Sequence, residues 1–485
     1  MRRVLIVVTA TVLCRTPAFV KPFMDGDEAI YASVAALLHA GGHLYGDGGV
    51  DNKFPAIFWT YAAVFKLCGC WSLHAVQVLA LLFVLATAAV LARTAHRLAG
   101  PRAGFWAALF YGVFTSVYYP KMLAANTEVF MMLPLCGSVL ALLDRRFLLA
   151  GVLIGLGCLW KQVALANLLV ALVLVRRRRD LGALALGVLG ALGAAAVVLA
   201  AQGSLGGLWR WAVRALLSHY GPSAWSPRAL AANFATGFLP FMGASLVLWP
   251  LALRTVVRVR ARGPIAAWLF ASLIAVSAGG HFFGHYFIQL VGPLALAAAL
   301  ELAHQGPRGR AWVALSTALP ALGFAIAAVR FEPWSASLGR PPRDFAAVAD
   351  WMRTHTAPDQ RVFVWGLSAQ LYLASQRLPA TRFVGFLRGL ARERGEPPEQ
   401  AWDCAPDVWP QVAADFAAHP PMLLVDTSSV PEAHFVGYPL ARLPPLAQHF
   451  VGYQRAVTVS GVTIFRRTAH PPGLTQRARS IMNGM

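Results

Sequence analysis

Apolar runs of bilayer length, separated by short basic stretches, dominate the first 330 residues. They cover 4–20, 72–92, 103–120, 125–143, 181–201, 234–253, 264–280, 286–302 and 311–329. The apolar stretch 147–175 is too long for one helix and is interrupted by Lys161, so it is expected to form two short helices meeting at a membrane surface. The segment 54–67, FPAIFWTYAAVFKL, is apolar yet short and carries a lysine near its end. After Pro333 the pattern changes: RDFAAVADWMRTH has helical spacing, RVFVWG, PPMLLVD and VTIFRR read as strands, and AQLYLASQ reads as a helix.

Basic residues decide how the ambiguous segment lies. If 54–67 runs along the membrane, the clusters at 2–3, 93–102, 145–146, 176–179, 254–262 and 308–310 share the cytoplasmic side. They hold 17 arginines, against eight Lys or Arg in the opposite loops. If it spans, every later cluster flips outward. The expected topology therefore has eleven spans, the N-terminus inside and the C-terminal part outside. MRRVLIVVTATVLC looks like a secretion signal but lacks a small-x-small cleavage site, so it is read as an uncleaved first helix. Three parts follow: a transmembrane domain 1–332 with its first outer loop at 21–71, a soluble extracytoplasmic α/β domain 333–468, and a polar tail 469–485 expected to be disordered.

Composition agrees with a membrane protein: 58% of residues are hydrophobic and 13% charged. The net charge of +21 lies mostly in short inter-helix arginine runs, which argues for orientation and against nucleic-acid binding. Five of the six cysteines lie in or beside apolar segments and supply neither a disulfide framework nor a zinc site.

Acids and lysines single out candidate chemistry. Nine acids precede residue 330, and five of them, Asp25, Asp27, Glu28, Asp47 and Asp51, fall in the first outer loop. Asp27 is placed to start the helix EAIYASVAALLHAGG, whereas Asp25 sits before the flexible Gly26. Only five of the 42 basic residues are lysines, and Lys21, Lys53, Lys66, Lys121 and Lys161 all fall on the expected outer side. A compact ammonium there suits a phosphate met as a point charge. Glu128 opens a span, where a carboxylate also complements the helix dipole. HFFGHYF sets His281 and His285 at a spacing of one helical turn, compatible with a metal but better suited to a binding role beside Tyr286. GxGxxG and P-loop motifs are missing from the soluble part, which is assigned no nucleotide.

DGDEAIYA after the first helix, DNKFPAIFW at the end of the loop, NTE opening a span, GVLIGLGCLWKQ with its lysine, and GHYFIQLVGPLAL occur in an order that resembles the GT-C-type membrane glycosyltransferases of the protein mannosyltransferase and aminoarabinose transferase kind. The resemblance covers roughly residues 1–330. It implies a GT-C-like α-helical polytopic membrane protein of about eleven transmembrane helices with a small C-terminal extracytoplasmic α/β domain, in a cell membrane such as a bacterial inner membrane. The implied activity is transfer of a sugar from a polyprenyl-phosphate donor to a lipid, glycan or protein acceptor at the extracytoplasmic face.

The family's catalytic acid falls on Asp27, paired with Glu28; its lysines fall on Lys53 and Lys161, with Glu128, His285 and Tyr286 as further donor-binding candidates. The aminoarabinose transferases carry an acid before the loop lysine, used for metal contact. This chain has Asn52 there, so no metal or other cofactor is expected. The competing classes are a secondary transporter and a non-catalytic polytopic protein; the gathering of distinctive charges at one face speaks for the enzyme. The topology predicts that a reporter fused after residue 100 reads cytoplasmic and one fused after residue 335 reads extracytoplasmic. An external reading at residue 100 would put 54–67 across the membrane.

Overall fold

The computed structural model describes residues 1–214, 226–258, 262–330, 345–384, 408–430, 439–442 and 448–468; the tail 469–485 lies outside the described residues. Its main helices are α1 (Arg2–Arg15), α2 (Gly26–His39), α3 (Ala56–Cys68), α4 (Leu73–Phe114), α5 (Thr127–Leu143), α6 (Phe147–Trp160), α7 (Arg178–Ala201), α8 (Leu248–Arg258), α9 (Arg262–Ser277), α10 (Ile288–Leu302) and α11 (Pro307–Arg330). Contacts divide the chain into two units. The first comprises Met1–Glu28, Asn52–Val64 and Ser72–Phe331, and the remainder forms the second. The division read from sequence kept the whole loop 21–71 with the membrane domain. By contacts, residues 29–51 and 65–71 group with the C-terminal part instead, and the Val50 amide, for example, donates to the Arg382 carbonyl at 3.0 Å.

Breaks within the first unit have local causes. The runs 72–92 and 103–120 belong to one element, α4, which is bent where Ala99 and Gly100 leave helical geometry ahead of Pro101. Gly100 takes φ +82°, a conformation that costs a side-chain-bearing residue far more, and Pro101 cannot continue the hydrogen-bond ladder. The arms fold back on each other, so a Cβ at Gly104 would lie 2.8 Å from the Ala92 carbonyl oxygen.

Segment 147–175 is two helices, as its length implied. α6 ends at Trp160, Lys161 is extended (φ −155°, ψ 130°), and a 3-10 turn Gln162–Asn167 leads into Leu168–Leu174. The run 234–253 is not one straight span, because the helices Pro227–Ala244 and α8 meet at 82°. At the break Ser245 Oγ donates back to the Phe241 carbonyl (2.7 Å) and accepts from Trp249 Nε1 (3.0 Å), a side-chain competition that bends helices.

Among the described residues four helices are long and apolar enough to cross a bilayer, or five if the bent pair is one span. The shorter apolar helices have 10–17 residues, so length alone does not reproduce eleven separate spans. α3, at 13 residues, rises about 20 Å, well short of a hydrocarbon core of about 30 Å. α10 is buried along its whole length and forms the centre of this unit.

The second unit holds the expected α/β arrangement. β1 (Val362–Trp365), β2 (Leu423–Asp426), β3 (Tyr453–Val459) and β4 (Val462–Arg467) form one sheet in the order β1-β2-β4-β3. β1 and β2 are parallel, and the other pairings are antiparallel. β1 and β2 are buried at every position, which matches their unbroken apolar sequences. Helices Phe345–Thr354, Gln370–Ser375 and Trp409–Ala418 accompany the sheet. Sequence periodicity missed β3, whose residues are mostly exposed, and the helix at 409.

Small residues let α6 and α7 approach closely. A Cβ on Gly151 would sit 2.1 Å from the Leu184 carbonyl oxygen, and one on Gly187 would sit 2.3 Å from that of Leu148. Gly155 would meet the Ala191 Cβ at 2.8 Å. Gly151→Val should therefore separate these helices and destabilise the protein by about 1–3 kcal/mol or more. Gly190→Val and Gly193→Val, with nothing within 4 Å of an added Cβ, should melt like the parent in detergent.

Candidate active site

Four inter-helix segments of the first unit place charged residues together. Asp25 follows α1, Lys121 and Asn126 lie between α4 and α5 just ahead of Glu128, Lys161 ends α6, and His285 precedes α10. Asp25 is buried, with Lys121 Nζ 3.1 Å from Oδ1 and His285 Nδ1 3.7 Å from Oδ2, while Asn126 Nδ2 donates to Oδ2 at 3.0 Å. Burial opposes ionisation of Asp25, but Lys121, His285 and the Asn126 hydrogen bond outweigh it and hold the carboxyl below its ordinary range. The Asp25 charge in turn raises Lys121.

Glu128 is fully buried. It pairs with Lys161, and Thr127 Oγ1 donates to its other oxygen at 2.9 Å. The Lys161 ammonium also lies over the Tyr286 ring, 3.5 Å from its centroid. His285, 3.7 Å from Asp25 Oδ2, also acts on Glu128 and so links the two ion pairs.

The acids at the start of α2 divide into distinct roles. The helix begins at Gly26, so Asp27 lies in its first turn and is not its N-cap as the sequence suggested. Asp25 holds the cap position, and Glu28, three residues on, accepts from the amides of Asp25 (3.2 Å) and Met24 (2.6 Å). This is the return half of a capping box, D-x-x-E, legible in the sequence but not extracted from it. The other Glu28 oxygen accepts from the Ala125 amide at 2.8 Å. Burial pushes the Glu28 carboxyl up to about 7 even though all three amides favour its ionised form.

The segment before α5 is tied from further sides. Tyr61 donates to the Ala125 carbonyl (3.0 Å), and the buried Arg15 donates to that of Leu123 (2.7 Å). Asp27 is half-buried, and its charge also acts on Lys121.

Of the residues singled out from sequence, the structure brings Glu128, Lys161, His285 and Tyr286 into contact and places Asp27 and Glu28 in one turn beside Asp25. Lys53 donates to the neighbouring Asn52 Oδ1 at 2.9 Å. The backbone between His281 and His285 does not realise their helical spacing. Helical structure begins only at Gly284, Phe282 has φ +48°, and the His281 ring stacks on Phe283 while His285 turns to Asp25. Asp25, Lys121 and Arg15 are site residues that the sequence reading underweighted.

The sequence family of dolichyl-phosphate-mannose-protein mannosyltransferases matches residues 52–201, a stretch that contains Lys53, Glu128 and Lys161. Comparison with curated proteins gave no match. Among solved structures, the chain superposes on ArnT from Cupriavidus metallidurans bound to undecaprenyl phosphate with a TM-score of 0.66 at 15% identity, over 97% of this chain and 98% of that one. It also resembles the Archaeoglobus fulgidus oligosaccharyltransferase in complex with Zn and sulfate (TM-score 0.55, 14% identity, 96% of this chain and 73% of that one). The same archaeal enzyme, AglB, with an inhibitory peptide and a dolichol-phosphate, matches at a TM-score of 0.50 and 13% identity, over 98% and 74% of the two chains. The fold is thus that of the GT-C membrane glycosyltransferases. Within that class the similarity to ArnT runs through nearly the whole of both chains.

A buried pair leaves a costly charge behind when one partner is removed. Lys161→Met should cost about 3–5 kcal/mol of stability, and the double variant Glu128→Leu/Lys161→Met should regain most of it. Denaturation of the four proteins in detergent checks the coupling.

Proposed function

We propose that this chain is a membrane glycosyltransferase that moves a sugar from a polyprenyl-phosphate donor to an acceptor at the extracytoplasmic face, with inversion at the anomeric carbon. The observation that carries this reading is the gathering of four carboxylates with Lys121, Lys161 and His285 at one end of the helices on a GT-C fold. Asp25 and Glu128 are matched to cations, and Glu28 is occupied by three amides. Asp27, half-buried in the first turn of α2 beside Asp25 and Glu28, is the residue to which we assign removal of the acceptor proton, because it matches the family's catalytic acid.

In the proposed step an acceptor hydroxyl or amine attacks the anomeric carbon while Asp27 takes its proton. The new bond forms as the bond from that carbon to the phosphate oxygen breaks. The polyprenyl phosphate leaves with its negative charge stabilised by lysine. Lys161 contacts both a carboxylate and an aromatic face, and Lys53 at the loop end supplies a second ammonium. A single displacement inverts the centre. Glu28 becomes a positioning residue: it fixes the first turn of α2 against Ala125 and thereby aims Asp27. No metal enters the scheme, since Asn52 stands where the aminoarabinose transferases carry an acid and accepts a hydrogen bond from Lys53. The acceptor is a lipid, a glycan or a protein.

The two members of the pair separate by readout. Asp27→Asn should melt like the parent yet lose transfer from a polyprenyl-phosphate sugar by about 10²–10⁴-fold. Glu28→Gln presents amide hydrogens to amide donors and should lower stability by about 1–3 kcal/mol. Transfer in liposomes and melting in detergent are measured on the same preparations. An active Asp27→Asn would remove the base from the mechanism.

A further inference from the structure

A cavity of about 990 Å³ opens in the first unit at the end of the helices remote from the Asp25–Lys161 cluster. α5 shows the separation: Glu128 lies in its first turn, whereas Asp144, on the cavity rim, follows its last residue. About 24 Å of helix lies between them, at ~1.5 Å per residue.

The walls come from α1, from both arms of α4, and from Leu140 of α5. They are apolar along most of their length, with Val7, Ala88 and Ala108 buried. The bend at Ala99–Gly100 and the close crossing at Gly104 set the two arms at the angle that leaves this space. Beside it α1 turns apolar side chains outward, Leu5 being 66% and Ile6 43% exposed, as expected of a surface covered by acyl chains.

The rim has the opposite character. Arg93, His96 and Arg97 occupy successive positions on one face at the end of the first arm of α4, and Arg3 joins them from α1. The lining holds one carboxylate, Asp144, which pairs with Arg97. Arg3 and Arg93 thus leave a net positive charge above an apolar slot.

We infer that this cavity is a binding site for an anionic glycerophospholipid, with its phosphate on Arg3, Arg93 and His96 and an acyl chain lying between α1 and the arms of α4. The volume is at the upper end of the ~300–1,000 Å³ typical of small-molecule sites, which suits a long flexible chain. A lipid phosphate at a membrane surface is attracted by each nearby basic side chain. A donor lipid bound here would hold its phosphate at the wrong end of α5 for the transfer chemistry, so the occupant is a resident membrane lipid and not the sugar carrier. Such a lipid would brace α1 against the bent α4, and so steady Arg15 at the far end of α1 where it grips the Leu123 carbonyl.

The test is native mass spectrometry of the full chain in detergent, titrated with phosphatidylglycerol or with phosphatidylcholine of the same acyl chains. The expected result is one phosphatidylglycerol retained in preference to phosphatidylcholine. Arg3→Ala/Arg93→Ala should weaken that retention by roughly tenfold. Ala89→Trp, at an exposed position of the cavity wall, should fill the slot and weaken retention while the lipid-free protein melts as the parent does. Equal retention of the two lipids, or unchanged phosphatidylglycerol retention in both variants, would overturn the site. One-for-one displacement of phosphatidylglycerol by undecaprenyl phosphate would reassign the cavity to the carrier and equally overturn the proposal.

Discussion

A charge removed from water must find an opposite charge or a set of hydrogen bonds, and in this protein that requirement organises one whole end of the helical unit. Asp25 meets Lys121 and His285, Glu128 meets Lys161, and Glu28 meets three amides. These partners come from segments separated by as many as 260 residues, from Asp25 to His285. No single helix could satisfy all of them. Satisfying all of them together fixes how α1, α5, α6 and α10 end relative to one another.

The segment between α4 and α5 shows the constraint at work. Its backbone would be exposed to a poorly solvating environment, so it draws on side chains for hydrogen bonds: Arg15 for the Leu123 carbonyl, Tyr61 for that of Ala125, Glu28 for the Ala125 amide. Elsewhere the same unit relies on shape. Glycines on α6 and α7 permit backbone contact, and the aromatic side chains of Phe83, Phe130 and Trp160 pack together beside the α6 terminus where Lys161 emerges. Trp160 also donates to Thr60 of α3, so the short helix that follows Lys53 is tied to the element that presents Lys161.

The two ends of the unit use charge differently. At one end charges are buried and matched, which gives fixed geometry and suits a site for group transfer. At the other, the arginines are exposed and outnumber the acids, which suits attraction to an anionic surface. The bend in α4 joins these regimes: its Pro and Gly end the first arm near the basic rim, and the returning arm leads back to the segment that carries Lys121.

The linear pattern determined the polytopic class, the break at Lys161, the helix at 56–68, three of the four strands and most of the residues that gather at the site. Hydrophobic runs, basic clusters and scarce lysines are properties of a chain read in one dimension, and bilayer length and strand period translate them directly. Other features arose only from tertiary contact. Asp25 looked flexible beside Gly26 and is instead anchored by residues about 100 and 260 positions away. Glu28 accepts hydrogen bonds from the backbone of a distant segment as well as from its own helix start, and only the folded chain shows the first of these. His281 and His285 had helical spacing, but the backbone there is not helical until Gly284. The common physical reason is that a buried polar group is defined by the partner it finds, and spacing along the chain carries no record of which distant segment will supply that partner.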